Sequence, residues 1–582
     1  MSWLLKTAVN LTGWRERQRL NRSCQSPRHA QLNLLDKWIR ENGHTRFGRD
    51  HRFSSIRNLD DFRMQVPIRD YEGIRPYVDA IIAGGRDVLT RCPPFMFNMT
   101  SGTTGSPKYV PWNASSDAAG SRLMRQWIYR TMEDHPGVLD HHALCMVSPA
   151  VEGYAENGLP VGSASGRIYQ RIPAVVRRHY AIPYAVSKIK DYDQRYFAAM
   201  RLSIAKRVSI VSTPNPSTLV RLAETGSEHQ EKLIRAVCDG NLGAELAEQP
   251  DIQRELERSL KPDPLAARSL EKLSRADGAL YPKHYWPDLK LIGCWTGGSV
   301  GAQLDKLPYY FGTNVPVRDL GYLASEGRMS LPVTDHTSSG VLAINTNFYE
   351  FIHEDEIDNP GGTLLCDELE TGKRYHVILT TAGGLYRYDI NDVIEITGWH
   401  GNAPLISFVR KGGDMTNITG EKMHVNHCLA TMNRVADDLK LEISQYRFVA
   451  DDAASVYHVL VELGKSPPTP ATCSALSLAI DRNLGSLNIE YEQKRRSGRL
   501  SPPRVHIMPA GWSAAERRAA VNNGRRDVEF KWRHLVPVDQ CKDSFDKGGW
   551  GFGWGRSEAP PVRPTRPSVI GDKVTWLSEE HC

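Results

Sequence analysis

The chain has 582 residues, 40% of them hydrophobic and 24% charged, which is too much sequence for one ordinary core and predicts two or more globular domains. A formal net charge of +6 favours acidic small molecules but falls short of a nucleic-acid footprint, and the basic run Lys494, Arg495, Arg496 and Arg499 lacks interleaved aromatic residues. Ten cysteines without a C-x-x-C pair suggest reduced thiols, and no run is apolar enough for a transmembrane segment, so a cytoplasmic protein is expected.

The opening stretch to Trp14 is interrupted by Lys6 and Asn10, unlike a signal peptide, and reads as a first helix on the core or on a surface. Leu32, Leu34, Leu35, Trp38 and Ile39 recur at helical spacing from Ala30 to Glu41, and Asn42-Gly43 supplies the stop. A strand over 95–99 then leads into Thr100-Ser101-Gly102-Thr103-Thr104-Gly105-Ser106-Pro107-Lys108. Gly102 and Gly105 free the backbone to bend around an anion. The hydroxyls of Thr100, Ser101, Thr103 and Thr104 add donors beside the backbone N–H groups, and Lys108 brings a cation. This is the chemistry of a polyphosphate cradle. It differs from the P-loop signature, because two residues separate the glycines and a proline precedes the lysine.

Helix and strand patterns alternate beyond the loop, as in α/β layers. Residues 195–205 read as a helix, 208–212 as a strand and Pro214-Asn215-Pro216 as a break, with Ser217 capping the next helix. A second strand over 289–295 runs into Thr296-Gly297-Gly298-Ser299, the kind of strand-end turn that lines ligand clefts. Tyr322 and Glu326 follow on a turn of small residues, and 347–352 is a strand with an embedded acid, Glu350. A strand over 377–381 precedes a hairpin-like region carrying Arg387 and Asp392.

The charges and paired glycines from Phe408 to Asp414 suit a hinge at 410–414, between a large domain over 1–409 and a smaller α/β domain over 415–540. The smaller domain is expected to contain strands at 446–450, 457–462 and 505–508 and helices at 425–439 and 471–483. His424, His427 and Cys428 share one helix start with no second ligand cluster, so a surface or capping role is expected. Residues 541–582, rich in glycine, tryptophan and proline, read as a flexible tail.

Thr-Ser-Gly-Thr-Thr-Gly-x-Pro-Lys resembles the phosphate loop of the acyl-adenylate-forming superfamily. With Thr45-Arg-Phe-Gly, Val66-Pro-Ile, Asp193-Gln-Arg-Tyr-Phe, Thr296-Gly-Gly-Ser, Gly321-Tyr-Leu-Ala-Ser-Glu-Gly, Tyr349-Glu-Phe-Ile and Leu385-Tyr-Arg-Tyr-x-x-x-Asp392-Val in that order, the chain resembles the GH3 family of acid–amido synthetases from about residue 28 to 540. The resemblance implies an α/β fold, with a large N-terminal adenylate-forming domain of mixed sheets and helices and a smaller, mobile C-terminal α/β domain. It implies ATP-dependent activation of a carboxylic acid, followed by amide formation with an amine such as an amino acid, in a monomer using Mg²⁺. Thioester formation with coenzyme A, or a catalytically silent nucleotide or acyl binder, are the alternatives. Acid activation expels pyrophosphate from ATP, so its transition state needs charge neutralisation and positioning more than acid–base help.

By resemblance, Thr100 to Gly105 and Lys108 would hold the β- and γ-phosphates, Glu326 would face Mg²⁺ and Tyr322 would lie against adenine. Asp392 would take the ribose hydroxyls, and Arg410, like Arg387 a weaker candidate, would meet ribose or phosphate. Lys531 would swing in from the small domain to neutralise the α-phosphate. Its surroundings depart from the family pattern in lacking a Gln two residues before and a Pro after. Asn391 stands where glycine is usual, and Arg328 where an aromatic often follows Ser-Glu-Gly. Either could alter substrate choice.

Overall fold

A computed structural model describes residues 3–100, 108–297, 301–356, 362–412, 415–416, 418–419, 421, 423–464, 470–522 and 530–543. The expected phosphate-loop residues Ser101, Gly102, Thr103, Thr104 and Gly105, and nearly all of the expected tail, lie outside them. The helix read from Ala30 begins earlier, at Pro27, with the proline in its first turn, and ends at Asn42; its buried side includes Leu35, Trp38 and Ile39. Among the described residues no helix is long and apolar enough to cross a membrane, and the nine described cysteines are unpaired thiols.

Three larger sheets form the body of the N-terminal region. Pro94–Thr100 pairs antiparallel with Lys108–Asn113 on one side and parallel with Pro160–Gly162 on the other, so Lys108 lies opposite Thr100. His142–Cys145, Val208–Ser212, Leu291–Gly293 and Val317–Arg318 make an all-parallel sheet. Its core includes Leu144, Val211 and Ile292, packed by helices such as Tyr192–Ser203 and Pro216–Glu228. The six-stranded antiparallel sheet runs Ser330–Pro332, Gly340–Leu342, Ala403–Lys411, Tyr388–His400, Arg374–Thr381, Asn347–His353.

Two local expectations change. Asn215, not Ser217, caps the helix Pro216–Glu228: its side chain accepts the Ser217 N–H, and proline in the first turn costs the helix nothing because that N–H would be unpaired. The buried strand read over 289–295 is only Leu291–Gly293, since it ends where the chain turns toward Asp319.

The C-terminal region builds a separate core. Ile443–Asp451 pairs antiparallel with Val456–Leu463, and Arg504–Met508 and Leu535–Pro537 add parallel edges. Helices Val425–Leu439 and Pro470–Leu487 accompany the sheet, and Cys428, Met432, Phe448, Val459 and Ile480 share the interior. His424 stands at the first helix's N-cap, its backbone N–H facing His427 Nδ1 at 3.3 Å, which is the capping role expected of the pair. The helix Trp512–Asn522 docks this region against the first. Arg517 donates to Ser217 Oγ at 2.8 Å, Thr218 Oγ1 at 3.0 Å and Tyr196 OH at 3.2 Å, and Val521 enters the parallel-sheet core.

Candidate functional site

The strands Tyr388–His400 and Ala403–Lys411 form a hairpin whose register sets Asp392 opposite Lys411. Asp392 is 2% exposed. The Tyr322 hydroxyl donates to its Oδ2, and the Lys411 ammonium pairs with Oδ1. Burial, reinforced by the Asp392 charge, holds the Tyr322 hydroxyl protonated far above its ordinary range, so it remains a donor. The Tyr322 ring lies 5.4 Å from Phe408, centroid to centroid.

The bend beside Asp392 has a local cause. Asn391 adopts a left-handed conformation (φ +57°), which asparagine tolerates better than most residues, and its carbonyl accepts the Gly412 N–H at 2.8 Å. A Cβ on Gly412 would meet the Asn391 side-chain oxygen at 2.1 Å, so any other residue there would displace the Asn391 side chain.

Glu326 occupies the turn of a short ribbon, Leu323–Ala324 with Gly327–Arg328. Asn98, on the strand that leads to the phosphate loop, donates its side-chain N–H to the Ser325 carbonyl at 3.0 Å and ties the turn to that strand. Burial raises the Glu326 carboxyl above its ordinary value; Lys411 opposes this, Asp392 adds to it and Lys108 also opposes it. Glu326 therefore lies within electrostatic reach of the other three. Lys108 itself starts the returning strand, its ammonium 5.6 Å from the Tyr71 ring centroid.

Lys531 arrives from the C-terminal region. Its ammonium lies 5.2 Å from the Trp295 ring and 5.7 Å from Phe408, the same Phe408 that packs on Tyr322. Beneath Trp295, at the C-terminal end of the parallel sheet, buried Asp319 accepts the Thr296 N–H (2.6 Å) and Oγ1–H (2.8 Å) and the Gly321 N–H (2.6 Å). That carboxylate fixes the two turns that present Trp295 and Tyr322, at the strand ends where open α/β sheets bind ligands.

Tyr322, Glu326 and Asp392 thus come together, with Lys108 and Lys531 at the margin. Thr100 joins them only as the last residue of its strand, paired with Lys108. Arg410 faces elsewhere: its buried guanidinium pairs with Glu354 and donates to the Lys411 carbonyl at 3.0 Å. Arg387 is held by Glu350 through Nε–H to Oε2 at 2.8 Å and by the carbonyl of Val66 at 2.9 Å. Sequence reasoning missed Lys411, Asp319 and the Trp295–Phe408 platform. Only Lys411 left a usable signal. Arms of equal length about Gly401-Asn402 pair it with Asp392, because the two bulges between them cancel.

Models of the GH3 family match along the chain: its N-terminal domain over residues 16–317, its central domain over 340–411 and its C-terminal domain over 426–539. A probable indole-3-acetic acid-amido synthetase of Arabidopsis thaliana is 23% identical over 545 residues, covering 88% of this chain and 90% of its own. A jasmonoyl–L-amino acid synthetase of Nicotiana attenuata is 24% identical over 456 residues, 74% of this chain and 78% of its own. The solved structure of GH3.15 acyl acid amido synthetase superimposes with a TM-score of 0.79 at 20% identity, covering 89% of this chain and 92% of that one. The AtGH3.15 acyl acid amido synthetase in complex with 2,4-DB gives 0.76 at 19% identity, covering 89% and 93%. At these identities the superpositions establish the fold.

Proposed function

The chain belongs to the GH3 family, and on that premise we propose that it is an ATP-dependent ligase, converting a carboxylic acid to its acyl-adenylate and then to an amide with an amino acid. The observation that carries the reading is the shared neighbourhood of Asp392, Tyr322, Lys411 and Glu326, from separate segments of the chain, with Lys531 reaching it from the C-terminal region. Adenylation needs cations around phosphoryl oxygens and an acceptor for ribose hydroxyls, and this donor set supplies both kinds of group.

In this reading the buried carboxylate of Asp392 accepts from the ribose hydroxyls, paired with Lys411 and oriented by the Tyr322 O–H. The phosphate loop from Thr100 to Gly105, with Lys108, holds the β- and γ-phosphates. Lys531 offsets negative charge at the α-phosphate and the attacking carboxylate. Arg410, paired with Glu354, acts by fixing the strand end that carries Lys411. Mg²⁺ fits Glu326: this ion keeps waters and phosphate oxygens as most of its ligands and needs only one or two carboxylates. The ion would supply charge neutralisation on the phosphates. The hinge about which the C-terminal domain would move is placed at 410–414, of which 413–414 lie outside the described residues. The unpaired thiols, several of them in the core, suit a reducing, cytoplasmic setting.

The test is product analysis by mass spectrometry after incubation with ATP, Mg²⁺, a panel of carboxylic acids and the common amino acids. The expected result is AMP, pyrophosphate and an acid–amino acid amide in equal amounts. AMP release coupled only to coenzyme A would overturn the amide half, and no AMP with any acid would overturn adenylation itself.

A further inference from the structure

Several deeply buried arginines of this molecule have partners. Arg318 is clasped by Asp134 and Asp335, Arg387 by Glu350, Arg410 by Glu354, and Arg447 by Glu516 and Asp543. Arg201 donates to two backbone carbonyls. Arg328 is different. It is part-buried, yet its guanidinium has no hydrogen bond and no ion pair with any described residue.

The fold fixes this residue with care. Arg328 ends the ribbon that carries Glu326, and its own carbonyl accepts the Asn347 side-chain N–H at 3.2 Å. Its side chain runs beside Gly120 on the helix Ala114–Asp134. A Cβ added there would stand 3.8 Å from both its Cδ and its Nε and 3.9 Å from the Trp112 ring. Glycine at 120 places no side chain against this part of Arg328. Arg328 stands two residues after Glu326, on the strand that leaves its turn, close enough to meet the remote end of a small substrate held there.

A cation partly withdrawn from water without a counter-charge carries a cost that an arriving anion offsets. A guanidinium fork matches a carboxylate in a bidentate pair. We infer that Arg328 binds a second carboxylate of a substrate, distinct from the one that is adenylated. The inference rests on the adenylating reading above. Two sources have this chemistry: the far carboxylate of a dicarboxylic acid, and the α-carboxylate of the amino-acid acceptor. The first acts before any amine enters and the second only after, which separates them.

The experiment compares the natural protein with Arg328→Leu and Arg328→Lys, all checked for an unchanged thermal midpoint. ATP–pyrophosphate exchange is measured with matched pairs, hexanoate against adipate and benzoate against isophthalate, and amide formation with alanine against alaninamide. The expected result is a preference for the doubly charged partner in one arm of about tenfold or more in the natural protein. That preference is lost in Arg328→Leu and partly kept in Arg328→Lys. The first arm identifies the acid as the source and the second the amino acid. Equal ratios in the natural protein and Arg328→Leu in both arms would overturn the inference while leaving adenylation intact. If no acid supports exchange, adenylation itself fails, and calorimetric titration of adipate and of alanine still decides: weaker binding by Arg328→Leu sustains the carboxylate site, and equal or no binding removes it.

Discussion

Arg387 and Asp392 lie close together in one stretch of chain, both buried and both charged, yet their surroundings differ in kind. Arg387 is saturated: Glu350 accepts from it at 2.8 and 3.1 Å, and the carbonyls of Val66 and Arg63 accept at 2.9 and 3.1 Å. Glu350 is equally occupied, by Arg63 and Thr363 as well. Nothing in that network has capacity for a ligand. Asp392 has one hydroxyl donor and a part-exposed lysine, beside a glutamate whose carboxyl is already raised by burial. A closed charge network holds strands together, whereas a network with unmet electrostatic demand is where a polyanion and its metal can be accommodated.

Breaking the closed network should have the largest effect on the folded state. Glu350→Ala leaves the Arg387 guanidinium buried without its counter-charge, at a cost of about 3–5 kcal/mol, read as a lowered thermal midpoint in calorimetry. Replacing both partners with apolar residues, Glu350→Leu with Arg387→Met, should recover much of that loss. At the open network the expected losses are catalytic. Lys531→Ala should cut acid-dependent pyrophosphate exchange about 10²–10³-fold, with little change in unfolding temperature, because the ammonium stacks on Trp295 and Phe408 at a surface between regions.

Glu326→Gln should raise the Mg²⁺ concentration for half-maximal exchange on the order of tenfold. The pH dependence sharpens this. The metal takes the ionised carboxylate, and burial raises that carboxyl above its ordinary value. In the natural protein the Mg²⁺ requirement should therefore climb as pH falls, starting at a higher pH than an exposed glutamate would give; in Glu326→Gln the climb should vanish. The smallest effect is expected from Arg517→Ala, which removes the hydrogen bonds docking Trp512–Asn522 on Ser217, Thr218 and Tyr196. Limited proteolysis of the C-terminal region should accelerate a few-fold while the N-terminal core unfolds as before.

Much of this contrast was legible in the sequence, and its limits have physical causes. The strand delivering the phosphate loop, the parallel strand Val208–Ser212 and the acid-bearing strand around Glu350 were recognisable from their apolar runs, and Tyr322, Glu326 and Asp392 from their motifs. The roles of Arg410 and Lys411 were not. They are neighbours on one strand, and strand alternation sends one to each face. Counting equal arms about Gly401-Asn402 gives the Asp392–Lys411 pairing, but only because a bulge beside Arg410 cancels a second one at Thr397, and no local composition announces either. The sequence points to Ser217 as the cap, but Pro216 takes the first helical turn and leaves the cap to Asn215. The platform of Trp295 and Phe408 under Lys531 joins three distant segments, so only the fold could reveal it.

The most direct test of the central claim is Asp392→Asn, which keeps an acceptor for the Tyr322 hydroxyl while removing the charge, assayed side by side for acid-dependent ATP–pyrophosphate exchange and for thermal midpoint. Exchange lowered about a hundredfold, with a midpoint within about 2 °C of the natural protein, is the predicted outcome. Undiminished exchange, or a loss that appears only together with unfolding, would contradict the assignment of this open network to adenylation.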